Sequence, residues 1–220
     1  ARAGLAPDGS FVFEVPYLLD LVQGLAFDTI YHEHVHYYGV KALAHCLEGQ
    51  GFSIFKVERL DYMCGSIRVY ARQGGAMAPA VAQMIAAEVA AGLYERDTYR
   101  RFMQRIEAMK FEVLQHLAEI RRRGGKIIGI GAATKGNTFL NYCRLDADFI
   151  AYVTDASVLK IGKMTPGSHI PIVADSDIDA AATHALILPW NIAAFLKHKL
   201  AHLGLEFYVP QLNPGHPLAD

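Results

Sequence analysis

The fold is decided most directly by residues 126–137, KIIGIGAATKGN. Lys126 to Ile130 is a short apolar run typical of a buried strand, and it leads into a glycine turn at residues 129–137. Residues 134–142 are predicted to form the helix that this turn opens. A strand, a glycine turn and a helix in this order indicate an α/β domain with a parallel sheet.

The glycine turn has the chemistry of a phosphate or pyrophosphate site. Glycines let the backbone approach a ligand closely, free amide groups at a helix start favour an anion, and Lys135 adds a cation. Gly129 and Gly131 fit the first two positions of the pattern GxGxxG, but Thr134 occupies the third, and the turn does not fit the Walker A pattern. Two interpretations stay open here: a nucleotide-type ligand, or an ordinary tight turn between a strand and a helix.

Asp155 follows the next predicted strand, roughly 20 residues beyond the turn, where a ribose-binding acid stands in dinucleotide-binding domains. An aspartate at this place can equally cap the loop that follows it. Both interpretations of Asp155 are kept.

Residues 124–220 alternate strands with helices. Beyond the glycine turn we expect strands at 149–154, 185–188 and 207–209 and a helix at 191–202. Strands separated by helices pair in parallel through right-handed crossovers. This region is therefore predicted to be a small Rossmann-like α/β domain.

Residues 76–123 are predicted to be a helical connection. One helix is expected at 79–91, with Pro79 in its first turn. A longer one is expected at 98–123, because apolar residues recur there at steps of three and four and mark one buried stripe: Phe102, Ile106, Met109, Val113, Leu117 and Ile120.

Residues 1–75 mix short β-branched and aromatic runs with turns. They predict strands at 11–15, 52–59 and 66–71, a hairpin connection at 61–65, and a helix at 40–48. A strand so close to the first residue has no earlier partner to satisfy its edge. We therefore expect the chain to be a fragment of a longer protein.

The second cluster of chemically active residues is FDTIYHEHVHYY, residues 27–38. His34 beside Glu33 suits a base with an orienting carboxylate, since histidine exchanges protons near neutral pH, and Tyr31 suits donation to an enolate oxygen. If the segment is extended, His32, His34 and His36 share one face, a metal-binding alternative, but no Cys or Asp lies at a local spacing that would complete a site. A polar loop whose histidines bond the backbone is the third interpretation, and proton transfer is the one we prefer.

Composition gives limits rather than an identity. Of 220 residues, 52% are hydrophobic and 20% charged, which describes a soluble globular protein, and the net charge of −1 gives no electrostatic argument for a nucleic-acid or membrane partner. Cys46, Cys64 and Cys143 have no CxxC spacing, so we expect a reducing cytosol and neither a disulfide framework nor a zinc-ribbon site. No apolar run approaches the roughly 18 residues needed to cross a bilayer.

Several motifs, in order along almost the whole chain, resemble one family of bacterial enzymes. FVFEVPYLLDLV, FDTIYHEH and GSIRVYA in the first half, and GAATKGNTFLNYC, GKMTPGSHIPI and LILPWN in the second, are similar to landmarks of methyltransferases that act on a carbon of a nucleotide-linked ketosugar. The resemblance implies an α/β fold consisting of the end of a class I methyltransferase domain with a β-hairpin, a long helix and a Rossmann-like domain.

The resemblance also implies a mechanism and its residues. A base removes the proton next to the sugar ketone, and the resulting enolate takes a methyl group from S-adenosylmethionine. By position, His34 is the base, with Glu33 and Tyr31 in support. The nucleotide-linked sugar is held by residues of the glycine turn, its helix and a later loop: Gly131, Lys135, Gly136, Asn137, Asn141, Lys163 and Thr165. The family's zinc-binding module and the glycine motif of its donor domain do not occur in these residues, so donor binding by this chain alone is not expected.

Overall fold

A computed structural model describes residues 4–6, 8–61 and 64–210 of the chain. It divides into two compact units. Unit 1 comprises Ala1–Ala26 and Val35–Gln104, and unit 2 comprises Phe27–His34 and Arg105–Asp220. The segment Phe27–His34, which contains most of the histidine cluster, therefore belongs to the same unit as the glycine turn.

Unit 1 is built on an antiparallel sheet whose strand order is β1-β3-β2. Its elements are β1 (Ser10–Pro16), α1 (Leu18–Gln23), α2 (Val40–Glu48), β2 (Phe52–Leu60), β3 (Ser66–Gln73) and α3 (Pro79–Ala90). The predicted strands and helices are confirmed within two residues at each end. The helix α1 was not predicted, because six residues are too few for a helical period to appear in the sequence. The predicted hairpin connection includes residues 62 and 63, which lie outside the described residues.

The long helix α4 spans Arg96–Arg122. All six residues of the predicted apolar stripe are buried, from Phe102 to Ile120. The chain leaves the helix at Gly124, whose φ of +83° is a conformation that glycine adopts without a steric penalty. The predicted helix is confirmed.

Unit 2 is built on a parallel sheet. The strands among its described residues are β4 (Ile127–Ile130), β5 (Val153–Asp155), β6 (Ile172–Ala174), β7 (His184–Ile187) and β8 (Glu206–Tyr208), in the spatial order β6-β5-β4-β7-β8. The helices α5 (Thr134–Cys143) and α6 (Ala193–Lys199) follow β4 and β7. The predicted α/β class, with a parallel sheet after a long helix, is confirmed.

Three local predictions in unit 2 need correction. β5 begins at Val153 and not at residue 149. The chain turns at residues 146–150, where the Ile150 amide donates to the Asp146 carbonyl and the Asp148 amide to the Asp146 carboxylate, whereas residues 151 and 152 already bond to the backbone of β4. The three-residue strand β6 was missed, since so short a run gives no alternation to recognise. The helix predicted at 191–202 is broken into α6 with a 3-10 turn on either side, at Trp190–Ile192 and Ala201–Leu203.

Candidate functional site

The glycine turn lies where the strand order of the parallel sheet reverses. β4 has β5 on one side and β7 on the other, so the segments that follow β4 and β7 leave the sheet side by side. In open α/β sheets, ligands bind at the carboxyl ends of the strands at this switch point. Residues 131–137 and 188–191 therefore form the candidate site of unit 2.

Internal packing explains the two glycines predicted to meet the substrate. Gly131 has a φ of +81°, and a Cβ atom there would lie 2.7 Å from Pro189 Cγ. A Cβ atom on Gly136 would lie 2.6 Å from the Cβ of Leu188. Both glycines thus let the start of α5 pack tightly on the segment after β7. Their contact with a substrate stays a prediction.

A buried cation lies in the first turn of α5. The N-cap residue Ala133 has no side chain that could cap the helix, so the amide groups of the first turn keep their partial positive charge. The side chain of Lys135 is 6% exposed. Its Nζ donates to Asn191 Oδ1 at 2.8 Å and lies 4.9 Å from the centre of the Trp190 ring. The turn after β7 thus holds the lysine that the sequence analysis singled out.

Asn137 and Asn141, predicted to hold the substrate, lie one turn apart on α5, and Asn141 contacts the loop at residues 163–167. Asn141 Nδ2 donates to the Asn137 carbonyl at 2.8 Å and to the Pro166 carbonyl at 2.9 Å. Gly167 has a φ of +79°, and a Cβ atom there would collide with the Asn141 amide. Asn141 therefore fastens this loop to the helix that the glycine turn opens.

The two other predicted residues of this loop differ in exposure. Lys163 is exposed. Thr165 is buried, and its Oγ1 accepts from the Ile170 amide at 2.9 Å and lies 2.6 Å from Ser168 Oγ. The Thr165 hydroxyl thus stabilises its own turn, whereas the Lys163 ammonium faces solvent.

Lys160, which the sequence analysis missed, links the glycine turn to the end of β5. Its Nζ donates to the Ala132 carbonyl at 2.9 Å and to Asp155 Oδ2 at 2.9 Å. Asp155 Oδ1 accepts from the Ser157 amide at 2.8 Å. Of the two interpretations of Asp155, the loop cap is therefore the one that the structure shows.

The segment before the histidines is anchored on α5. Phe27–Thr29 forms a 3-10 helix, and the Phe27 ring lies 4.9 Å from the ring of Tyr142 and 6.4 Å from that of Phe139, measured between ring centres. Aromatic contacts of this kind hold a short segment against a helix. The histidine segment and the glycine turn are thus attached to the same helix.

Asp28 is the buried acid of this segment. It is 1% exposed, its Oδ2 accepts from Trp190 Nε1 at 2.7 Å, and its Oδ1 has no hydrogen-bond partner. Burial raises the pKa of the Asp28 carboxyl to about 6, against the lowering effects of the Trp190 hydrogen bond and the Lys135 charge. A buried carboxylate lowers the stability of the fold unless it is paired with opposite charge and hydrogen-bonded.

The catalytic residues predicted from the sequence lie in a turn. The His34 amide donates to the Tyr31 carbonyl at 2.9 Å, and His34 Nε2 lies 2.9 Å from the Tyr31 hydroxyl. The two rings meet edge to face with centres 4.7 Å apart, and both residues are half-buried. Glu33 and His32 are exposed. The structure thus pairs His34 with Tyr31, while the supporting role of Glu33 stays a prediction.

Residues 61–210 match the model of a protein family described as the C-methyltransferase C-terminal domain. The chain belongs to this family. It is also similar to the C-methyltransferase NovU of Streptomyces niveus, with 39% identity over 220 aligned residues that cover 96% of this chain. The alignment covers 52% of NovU, its C-terminal part, so the chain spans about half the length of this relative.

The histidines at positions 32, 34 and 36 do not form the extended arrangement considered for a metal, because residues 31–34 turn back on themselves. Within the described part of the chain, no group of three His, Cys, Asp or Glu side chains is placed to hold a metal ion. No helix of that part is both long and apolar enough to cross a membrane.

The sequence held a weak signal for the site residues that were not predicted. Asp28 and Trp190 both stand in motifs quoted for the resemblance, FDTIYHEH and LILPWN, yet 162 positions separate them. Their contact depends on the tertiary fold and could not be deduced from spacing. Lys160 follows Asp155 by five residues, and outside a helix this spacing does not predict that the two side chains meet.

Proposed function

We propose that this chain is the acceptor-binding part of an S-adenosylmethionine-dependent C-methyltransferase that acts on a nucleotide-linked ketosugar. Membership of the C-methyltransferase C-terminal domain family supports the reaction class. The observation that carries the proposal is that the Tyr31–His34 pair and the switch-point site of Lys135 belong to one unit and are both attached to α5. A reactive pair beside a phosphate-type site is what a nucleotide-linked substrate requires.

In this proposal, the nucleotide-linked sugar is bound in residues 124–220. The Lys135 ammonium and the amide groups that open α5 neutralise the diphosphate. Gly131 and Gly136 allow the backbone to approach, and Asn137, Asn141, Lys163 and Thr165 shape the wall formed with the 163–167 loop. Residues 1–75 supply the histidine segment and the end of the donor domain, and 76–123 connect the two.

The chemical step begins at His34. The imidazole takes the proton from the carbon next to the ketone, the C–H electron pair becomes the carbon–carbon double bond, and the carbonyl oxygen becomes the enolate oxygen. The Tyr31 hydroxyl, 2.9 Å from His34 Nε2, is close enough to the base to donate a hydrogen bond to that oxygen. Glu33 supports the segment from its exposed side.

S-adenosylmethionine would supply the methyl group as an electrophile, but the described residues do not fit it. The sheet of unit 1, over residues 8–26, 35–61 and 64–104, is antiparallel. It therefore lacks the parallel-strand switch point at which nucleotide-type ligands are bound in open α/β sheets. The chemistry assigned to these residues ends at the enolate. A cytosolic setting, which suits the three free thiols, belongs to the same proposal.

The test uses hydrogen exchange, which needs no methyl donor. The chain is incubated in D₂O with a thymidine-diphosphate ketosugar, and deuterium entering the carbon next to the ketone is followed by NMR, while calorimetry measures binding. We expect exchange in the natural chain and a roughly 10²- to 10⁴-fold slower rate in His34→Asn, with binding retained. The exposed neighbour provides the control, since His32→Asn should leave the rate unchanged.

Each other outcome contradicts part of the proposal. Exchange that persists in His34→Asn would remove His34 from the role of base. Binding without exchange in the natural chain would favour the alternative that the switch-point site, with its dinucleotide-type strand order, is a non-catalytic sugar-nucleotide or dinucleotide-binding module. An absence of binding would refute the assignment of the substrate.

A further inference from the structure

Three side chains of unit 2 form a stack with the Trp190 indole at its centre. The Lys135 ammonium lies over the face of the indole, 4.9 Å from the ring centre. The Nε1 edge of the same indole donates to Asp28 Oδ2 at 2.7 Å. The next residue, Asn191, accepts from Lys135 Nζ at 2.8 Å. One short turn after β7 therefore touches both the buried cation and the buried acid.

Both charged members of the stack are removed from water. Lys135 is 6% exposed and Asp28 1% exposed. A buried ammonium is costly unless opposite charge and hydrogen bonds compensate it. The π face of an indole attracts a cation, and a carboxylate at the indole edge strengthens the negative potential on the lysine side. The stack thus gives the buried lysine an indole face and an amide oxygen as partners.

Asp28 itself is incompletely bonded, since its Oδ1 is buried without a hydrogen-bond partner. A residue present only for stability would be expected to have both oxygens paired. The unpaired oxygen indicates that Asp28 is retained for its charge, at a cost to the fold. The charge acts on Lys135, because Lys135 is the cation whose field lowers the Asp28 pKa.

We propose that Asp28 and Trp190 are positioning residues, which hold the Lys135 ammonium in place at the start of α5 before a diphosphate arrives. The indole face restricts the lysine side chain, so less conformational entropy is lost when the anion binds. The Asp28 carboxylate, bonded to the indole Nε1, holds the ring in the orientation that the lysine contacts. The inference rests on the proposed function for the identity of the anion, the diphosphate of a nucleotide-linked sugar.

Trp190 is the single tryptophan of the chain, so tryptophan emission reports on this stack alone. The chain is titrated with thymidine-diphosphate glucose and, separately, with inorganic pyrophosphate. We expect a saturable change in emission on binding, and a measurably weaker affinity in Lys135→Met. Asp28→Asn keeps an oxygen that accepts from the indole but removes the charge. It should weaken binding about tenfold and shift the emission of the free protein.

The decisive measurement is the coupling between the two residues. If Asp28 acts through Lys135, Asp28→Asn should have no further effect on affinity in the Lys135→Met background. A merely structural aspartate would weaken binding equally in both backgrounds, which would overturn the inference. Asp179→Asn, which removes an exposed carboxylate of the same unit, is the matched control and should leave affinity unchanged.

Failure of this inference is distinguishable from failure of the proposed function. Pyrophosphate binding that depends on Lys135 and Asp28, without binding of the nucleotide sugar, would support the positioning role and refute the substrate. Nucleotide-sugar binding whose affinity is unchanged in Asp28→Asn would support the proposed substrate and refute the positioning role. Binding of neither ligand overturns both. If Asp28→Asn does not fold, Trp190→Phe replaces it, with affinity and its coupling to Lys135 measured by calorimetry.

Discussion

Each unit of the protein contains a buried carboxylate, and the two are bonded very differently. In unit 1, Glu88 of α3 is 0% exposed and accepts from the Val40 amide at 2.5 Å, the Lys41 amide at 3.1 Å and the Tyr94 hydroxyl at 2.5 Å. In unit 2, Asp28 Oδ2 accepts from Trp190 Nε1 at 2.7 Å, whereas its buried Oδ1 has no hydrogen-bond partner.

The partners of Glu88 show that it is structural. Val40 and Lys41 open the helix α2, whose N-cap residue Gly39 has no side chain to accept from them. A Cβ atom on Gly39 would lie 2.7 Å from the Tyr94 hydroxyl, so the glycine leaves room for the groups that replace the missing cap. The carboxylate of one helix thus caps another. Burial and the Glu88 carboxylate together raise the pKa of Tyr94, which keeps that donor protonated.

The difference teaches how a buried acid can be interpreted. Where both carboxylate oxygens accept hydrogen bonds, as at Glu88, those bonds offset the desolvation of the buried acid and stabilise the fold. Where one oxygen stays unpaired beside a buried cation at a switch point, as at Asp28, hydrogen bonds do not offset the desolvation cost of that oxygen.

The largest effect is expected at Glu88. Glu88→Ala removes the acceptor of two backbone amides and a tyrosine hydroxyl, all in a buried site, and should lower the free energy of unfolding by about 3 to 5 kcal/mol. Urea denaturation measures the change. Gln83→Ala, an exposed position of the same helix, is the control and should change stability by less than about 0.5 kcal/mol. A small loss in Glu88→Ala would break the comparison, because Glu88 would then be no more structural than Asp28.

The second prediction concerns the pH dependence that Asp28 imposes. Its pKa is 3.8 in the unfolded chain and about 6 in the fold, so the folded protein binds the proton more tightly. The associated stability is full below the unfolded value and is lost as the pH rises through the folded one. Relative to Asp28→Asn, the natural chain should therefore lose about 1 to 1.5 kcal/mol between pH 5 and pH 7.5. Urea denaturation measures both proteins at the two pH values. The same difference in unfolding free energy between the natural chain and Asp28→Asn at pH 5 and at pH 7.5 would contradict this prediction.

The smallest effect is expected when Glu88 loses a single donor. Tyr94→Phe removes one hydrogen bond and leaves the two amide bonds, so the free energy of unfolding should fall by about 1 kcal/mol. In the Glu88→Ala background the same substitution should cost close to nothing, since its partner is gone. An equal cost in both backgrounds would mean that Tyr94 stabilises unit 1 through packing and not through Glu88.

Much of the fold was predictable because its signals are local. The stripe from Phe102 to Ile120 fixed α4, and the strand, glycine turn and helix at residues 126–143 fixed the start of the parallel sheet. The failures occurred where local signals are short or conflicting. Phe149 and Ile150 have strand-like composition, but the Asp146 carbonyl accepts from both of their amides and holds a turn there instead.

The sequence by itself determined the α/β class, the main helices and strands, and the two segments rich in reactive side chains, since these follow from periodicity and residue chemistry. Only the tertiary structure decided that Phe27–His34 joins the unit of the glycine turn. It alone shows that the Trp190 ring contacts Lys135 on its face and Asp28 at its Nε1 edge. It also shows that the Asp155 carboxylate accepts from Lys160 and Ser157. The physical reason is that these contacts join residues far apart in the chain, or depend on which oxygen of a carboxylate remains unpaired. Local pattern carries neither kind of information.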